Sequence, residues 1–512
     1  MFRGYFLNVC TLLKIMENVK KLTVPDTILI IPALILAINF FYRLLDEAKL
    51  MFYFPFDIFN DISSNIAQLF FLDNCGFYQV CNYWYNGFMT FKLSQPGWYI
   101  FTYPILLLVK DPKIATYISM VLIYVLGLLI IWFYGKRLEL SRIKRTALFF
   151  FWFGNAATLG NLMRLGRPHE LLAWIFFLVL VLSMFYYKKI GKYNIFIPGL
   201  FYGLIIYTHQ TTAILSALLF ACCFFVMKNE RIKVVLSFLL ALVLASPWLV
   251  PFVLNFFSSR GAEHILTVNL LDFTGPDKLQ NIGTIIGGVS VLLIIYSYLK
   301  YFDKSDVKKE LLFLFPIILL LLAFISRLVI WIPVLMYVYP DPYITFFSFF
   351  GIFLFLQTKF RKIPNFNKIL GVLLILVSLT SVFINIVHTP YFPEYNKDVE
   401  IVIKSLPFVR ENFVTYFNAD FPVYSKALYS YAPIYANKST ALGWYPHVKS
   451  PSYINDLDES YRMIKSGDCN GLVRYKQYNI TEVIANGNNC RVLYNCGLKI
   501  NFAEDQVCVM SL

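Results

Sequence analysis

Charge is scarce in this chain. Asp, Glu, Lys and Arg make up 15% of its 512 residues, and only five histidines occur. No Walker A loop, no H-E-x-x-H and no dinucleotide fingerprint is present, so a nucleotide-driven cytoplasmic reaction has no motif behind it. No cleavable signal peptide is evident either. The opening "MFRGYFLNVCTLLKI" lacks a small-residue cleavage site, and "MENVKKLTVPD" from Met16 reads as an ordinary cytoplasmic lead-in. The formal charge of +15 does not point to nucleic acid, because Lys and Arg sit in short clusters between hydrophobic runs, the pattern of topology signals.

What fills the space is apolar sequence. The chain is 58% hydrophobic and 18% aromatic. Runs of roughly 18 or more apolar residues recur, which predicts a polytopic α-helical membrane protein. Spans are expected at 24–45, 114–135, 146–163, 170–187, 193–208, 210–227, 234–257, 281–300, 311–335, 344–358 and 369–388. The basic clusters at 136–145, 188–192, 228–233, 300–309 and 359–368 then all face the cytoplasm, given about eleven spans and a cytoplasmic N-terminus. "GWYIFTYPILLLV" (97–109) is too short for a ~30 Å core and is expected to lie in the outer interface or to re-enter from outside. The expected organisation is a cytoplasmic N-terminus (1–23), a transmembrane domain (24–388) and an extracytoplasmic α/β domain (389–512). Its long first outer loop (46–113) would hold juxtamembrane helices. In the last part "NFVTYFN" and "ITEVIA" read as strands, "INDLDESYRMIKSG" as a helix, and "RVLYN" with "QVCVMSL" as a terminal hairpin.

Six cysteines fall on the expected outer side: Cys75, Cys81, Cys469, Cys490, Cys496 and Cys508. An even number there fits disulfides in an oxidising compartment. Cys75 and Cys81 are expected to pair, with Gly76 easing the turn between them. Two N-x-S/T sequons, at Asn437 and Asn479, also fall in the last domain and are candidate glycosylation sites.

Ionisable residues collect at the expected outer ends of the spans, where such groups are costly. "FPFDIFNDISSN" places Asp57 and Asp61 about one helical turn apart among aromatics. "NLMRLGRPHELLAW" carries Arg164, Arg167, His169 and Glu170. His209 lies at another helix junction, Arg260 in an outer loop, and Arg327 within an apolar run. A carboxylate here can take a proton from an acceptor hydroxyl, and the cations can hold a phosphate that carries a lipid-linked donor. Each residue also has a plainer reading: Asp57 as a helix N-cap, His209 as a junction contact, the arginines snorkelling to headgroups.

With these residues in view, the sequence resembles the GT-C superfamily of membrane glycosyltransferases, and poorly characterised prokaryotic proteins related to them. "FNDISSNIAQ" follows the first span in a long outer loop, "YWYNGFMTFKLSQPGWYIFTYPI" matches the loop pattern of Trp, Gly and a Pro-containing segment, and "MRLGRPHELLAW" resembles the second outer motif. The resemblance implies an inverting transferase that moves a sugar from a polyprenyl- or dolichyl-phosphate donor to a glycan or protein acceptor on the outer face. Asp61 matches the first-loop catalytic acid, with Asp57 the second candidate, and Glu170 matches the second acidic position. Arg164, Arg167 and Arg327 would bind the lipid phosphate. Membrane lipids are the surrounding partner, and participation of a divalent metal stays open. A lipid-linked glycan transporter or flippase, or a non-catalytic scaffold related to these enzymes, are the rival readings.

Overall fold

The computed structural model describes residues 21–58, 60–162, 164–259, 278–300, 304–361, 366–388 and 392–512. Arg260 and Cys10 lie outside the described residues. A short strand, Lys21–Thr23 (β1), leads into the helix Asp26–Glu47 (α1). Pro25 stands at its N-cap and Asp26 in its first turn, where an acid complements the helix dipole. The loop that follows holds Ile62–Cys75 (α2), a hairpin of Val80–Cys81 (β2) with Phe88–Met89 (β3), and Gly97–Val109 (α3). Cys75 and Cys81 are disulfide-bonded beside the hairpin.

The bundle continues through Pro112–Arg137 (α4), Arg142–Phe153 (α5), Pro168–Ile190 (α6), Phe196–Thr208 (α7), Gln210–Val226 (α8) and Arg231–Ser259 (α9). It is completed by Lys278–Lys300 (α10), Lys304–Ile325 (α11), Pro340–Gln357 (α12), Lys359–Arg361 (β4, paired with β1) and Phe366–His388 (α13). Among the described residues six helices are long and apolar enough to cross a membrane: Asp26–Met51, Pro112–Arg137, Pro168–Ile190, Lys228–Phe256, Asn281–Lys300 and Asn367–Val387. Gly97–Val109, Phe196–Thr208 and Gln210–Val226 are shorter apolar helices. Helix α6 is the central one, with nearly all its side chains buried, and it packs on α4, α7 and α8. Helices α1 and α13 pack together and turn Leu34, Ile38, Leu376 and Phe383 outward, the faces expected against lipid.

Two expected spans are cut short. The run 146–163 is helical only to Phe153. Gly154 closes on the backbone of α1, where an added Cβ would sit 2.8 Å from the Leu36 carbonyl oxygen. Beyond it Asn155 Oδ1 accepts from the Ala157 amide at 3.0 Å, and the Thr158 hydroxyl donates to the Trp152 carbonyl, so side chains take over the backbone partners that a helix would use. The run 311–335 is helical only to Ile325. Arg327 (φ 66°) and Val334 (φ 75°) then adopt left-handed backbone between short 3-10 turns.

After α13 the chain builds Lys397–Ser405 (α14), Asn412–Tyr416 (β5), Ser425–Ala436 (α15), Ser439–Thr440 (β6), Pro451–Lys465 (α16), Gly471–Gln477 (α17) and Glu482–Asn486 (β7). Asn488–Asn495 (α18), Lys499–Glu504 (β8) and Val507–Ser511 (β9) finish it. The sheet order is β6-β5-β7-β9-β8, with β5 parallel to β6 and β7, and β9 antiparallel to β7 and β8. Strands β5 and β7 are buried throughout, their polar ends Asn412, Glu482 and Asn486 included, with β-branched and aromatic residues at their centres. The terminal hairpin is β8 with β9; "RVLYN" belongs to the helix α18 instead. Disulfides Cys469–Cys496 and Cys490–Cys508 fix both ends of that helix, and Gly497 (φ 85°) follows it.

This C-terminal unit is stitched to the first loop. Helix α15 packs on α2, the Tyr424 amide donates to the Phe56 carbonyl at 2.8 Å, and Trp84 Nε1 donates to the Tyr429 carbonyl at 2.8 Å.

Candidate functional site

The loop before α2 and the loop before α6 meet backbone to backbone. The Asp61 amide donates to the Leu165 carbonyl at 2.9 Å, and Asn65 Nδ2 donates to the Gly166 carbonyl at 2.8 Å. Gly166 makes the approach possible. Its φ is +68°, and an added Cβ would lie 2.3 Å from the Ile62 amide nitrogen and 2.1 Å from Asn60 Oδ1. This contact sets Asp57 and Asp61 of one loop against Arg164 and Arg167 of the other.

The two acids are then treated differently. Asp57 Oδ2 accepts from Arg164 Nη2 at 2.6 Å, with the side chains 19% and 8% exposed. The enclosed Glu47 of α1 lies in the same charge field. Asp61 stands at the N-cap of α2, yet its carboxylate makes no capping hydrogen bond. Asn60 Oδ1 takes the Ile62 amide at 2.9 Å, and the Asp61 backbone carbonyl takes the amides of Ser64 and Asn65. The Asp61 carboxylate is thereby left for other work. It is 41% exposed and faces Arg167 Nε at 3.5 Å.

Arg167 holds two further acids: Glu170 Oε2 at 3.7 Å and Asp341 Oδ2 at 3.5 Å from Nη1. Both sit in the first turn of a helix that starts with proline, α6 and α12 respectively, where an acid is favoured. Glu170 is almost fully buried and also accepts from Trp174 Nε1 at 3.3 Å. The C-terminal unit closes the other side of Asp61. Trp444 and Lys426 face its carboxylate, and Tyr445 Oη meets Ser64 Oγ at 2.8 Å.

Partial burial pushes the Asp61 carboxyl above its ordinary pKa, and the charge and hydrogen bond of Arg167 oppose that rise. Burial works against the charge on Arg167, but Glu170, Asp61 and Asp341 outweigh it and hold the guanidinium above its usual value. Burial lowers the ammonium of Lys426, with Asp61 opposing.

The other sequence-predicted residues are more dispersed. The rings of His169 and His209 lie 5.4 Å apart beside Arg167, and His209 Nδ1 meets Thr212 Oγ1 at 2.8 Å. Arg327 sits at the end of α11; the ion pairs of Asp57, Asp61, Glu170 and Asp341 are to Arg164 and Arg167. Asn437 and Asn479 are exposed. Sequence reasoning missed Asp341, Lys426, Trp444 and Tyr445. Asp341 carried a readable signal, since "YPDPY" repeats the proline-then-acid helix start of "RPHE". The three others carried none, because only the folded C-terminal unit brings them to Asp61.

The three acids lie around the Arg167 guanidinium. Among the described residues no group of three or more His, Cys, Asp or Glu side chains is spaced to hold a metal ion.

No sequence-family model matches the chain, and no curated protein matches it in sequence. Solved structures do match in shape. One is the archaeal oligosaccharyltransferase AglB from Archaeoglobus fulgidus, in complex with an inhibitory peptide and a dolichol-phosphate. The match has a TM-score of 0.50 and 12% identity, over 90% of this chain and 69% of that one. Another is the arabinofuranosyltransferase AftD from Mycobacteria, with a TM-score of 0.52 and 11% identity, over 93% of this chain and 39% of that one. At such identities the likeness shows a shared fold and no more.

Proposed function

We propose that this chain, which has the GT-C fold, is a membrane glycosyltransferase that takes its sugar from a polyprenyl- or dolichyl-phosphate donor. The observation that carries the reading is the Asp61 carboxylate. It is excused from helix capping, half exposed, and set against an arginine shared with two other acids. A general base works best when its pKa approaches the working pH, and the upward shift of Asp61 moves it that way.

In the reaction Asp61 takes the proton of an acceptor hydroxyl. The acceptor oxygen forms a bond to the sugar C1 as the C1–O bond to the lipid phosphate breaks, and the electron pair leaves with the phosphate. Glu170, enclosed and hydrogen-bonded to Trp174, positions Arg167; Asp341 holds it from the other side. Asp57 and Arg164 are assigned to the scaffold. Lys426, in the field of Asp61, is the cation assigned to the leaving phosphate. Trp444 and Tyr445 flank the acceptor. The same reading puts this end of the bundle outside, with eleven crossings and a cytoplasmic N-terminus. Labelling introduced cysteines at Lys113 from outside and at Arg142 only from inside supports that orientation; the reverse rejects it.

The chemistry is tested by transfer from a synthetic polyprenyl-phosphate sugar panel with purified protein. Asp61→Asn is expected to cut the rate by roughly 10²–10⁴, the usual worth of a general base, with the fold intact. A well-folded Asp61→Asn variant with full transfer rejects the assignment. A lipid-linked glycan transporter would instead retain translocation without transfer.

A further inference from the structure

The first loop carries an apolar surface that the proposed transfer does not use. Cys75 and Cys81 are bonded to each other, and Phe77 and Val80 lie within the ring that the disulfide closes. Val80 of β2 stands directly across from Met89 of β3, so the two side chains share one face of the hairpin. Phe77, Val80 and Met89 are 42%, 66% and 39% exposed. Single exposed apolar residues are ordinary, whereas three held on one cross-linked turn mark a contact surface.

The fold shows where that surface stands. The far end of the hairpin is tied to the C-terminal unit, where the Tyr83 hydroxyl donates to Asn437 Oδ1 at 2.8 Å and Trp84 Nε1 donates to the Tyr429 carbonyl at 2.8 Å. The near end rests on the bundle. The Phe77 ring stacks on Phe91 with centroids 5.6 Å apart, and Phe91 lies 5.1 Å from the Tyr99 ring of α3. Trp248 Nε1 of α9 donates to the carbonyls of Phe91 and Ser94, at 3.2 and 3.1 Å. The base of the hairpin is therefore fixed between α3 and α9. Both helices are apolar and outward-facing next to these contacts: Ile100 follows Tyr99, Val250 lies two residues from Trp248, and both are exposed.

The length of α9 gives the depth. The segment Lys228–Phe256 is long and apolar enough to cross a membrane. With its basic start, Arg231 and Lys233, at one edge of the hydrocarbon, Trp248 stands seventeen residues beyond Arg231, a rise of ~26 Å. A bilayer core is ~30 Å thick, and any tilt of the helix lowers Trp248 further. The indole and the loop backbone it holds then lie just inside the opposite edge, the level that tryptophan favours. From this placement we infer that the base of the disulfide-closed hairpin is seated in the leaflet on the side of the C-terminal unit, with Phe77, Val80 and Met89 against phospholipid acyl chains. Its strands pair through only two residues each, and the unpaired backbone confines it to the boundary of headgroups and acyl chains. The inference rests on α9 crossing the membrane and is independent of the transfer reaction.

The unaltered protein is tested first, in nanodiscs of phosphatidylcholine that carries a photoactivatable diazirine near the glycerol end of one acyl chain. Illumination is expected to attach lipid within residues 76–91, read by mass spectrometry of the reduced peptide. Lipid attached elsewhere on the chain but not there overturns the inference. Met89→Cys labelled with bimane gives a second reading. Doxyl-phosphatidylcholine is expected to quench that label more than aqueous iodide does, and Val473→Cys, exposed on α17 of the C-terminal unit, should show the reverse. Quenching at Met89→Cys by iodide and not by lipid overturns the inference, because the surface then faces water. Shielding from both quenchers also overturns it, because protein, such as a second copy, then covers the hairpin. Should Met89→Cys fail to fold, the unaltered protein still decides.

Discussion

Two carboxylate–arginine pairs come from the same two loops, and they have opposite characters. Asp57 and Arg164 are close, at 2.6 Å, and enclosed. Asp61 and Arg167 are looser, at 3.5 Å, and the acid is 41% exposed. Arg164 pairs with Asp57 in the field of Glu47, whereas Arg167 is shared among three acids at longer range. An enclosed, paired charge has little freedom to react, and breaking it is expensive. A half-exposed acid beside a shared cation can gain a proton without leaving a buried charge unpaired. Four residues of sequence thus separate a scaffold acid from a candidate base.

The largest disruption is expected where both pairs are lost together. Gly166→Ala combines left-handed strain with a backbone clash, each worth roughly 1–3 kcal/mol, and should lower the unfolding midpoint and abolish transfer. If the variant is as stable as the parent, the backbone contact does not set the pairs. Arg164→Met should break only the scaffold pair, with a loss of about 3–5 kcal/mol from the uncompensated Asp57. The double variant Asp57→Leu/Arg164→Met should recover part of that loss; absence of recovery would mean the pair is not the source.

A smaller effect is expected for Arg167→Gln, read as a pH profile. Transfer requires ionised Asp61, so activity falls as pH drops through its raised pKa. Arg167 holds that pKa down, so its removal should move the acidic limb of the profile to higher pH. The sign for stability follows from the same shift. With the folded pKa above the unfolded value, ionising Asp61 costs stability as pH rises through that window, and the cost grows without Arg167. An unmoved limb would place the titrating base elsewhere. The smallest effect on transfer is expected from Cys469→Ala/Cys496→Ala. These bridge 27 residues remote from both pairs, so the C-terminal unit should lose about 2–4 kcal/mol while transfer at low temperature persists.

Much of the bundle was legible because lipid imposes long apolar runs, and the pairing of Cys75 with Cys81 was legible because five intervening residues with a glycine close readily. Strands β5 and β7 were readable from short segments rich in β-branched and aromatic residues, Phe413-Val414-Thr415-Tyr416 and Val483-Ile484. The helix ends at Phe153 and Ile325 were not, because hydropathy continues past them while Gly154, Asn155 and Arg327 redirect the backbone. "RVLYN" misled because a short apolar run has no decisive period. At the site, Asp61, Arg167 and Glu170 lie near one another in the pattern of loop and helix start. The distinction between Asp57 and Asp61 was out of reach, since it depends on Asn60 taking the capping bond and on Arg164 being enclosed. Lys426, Trp444 and Tyr445 arrive from a unit far along the chain.

The most direct test of the account compares Asp57→Asn with Asp61→Asn in one transfer assay, alongside their unfolding midpoints. The account predicts that Asp61→Asn keeps its midpoint and loses transfer, while Asp57→Asn loses midpoint and keeps transfer in whatever fraction stays folded. Full transfer by folded Asp61→Asn together with inactive, fully folded Asp57→Asn would contradict it.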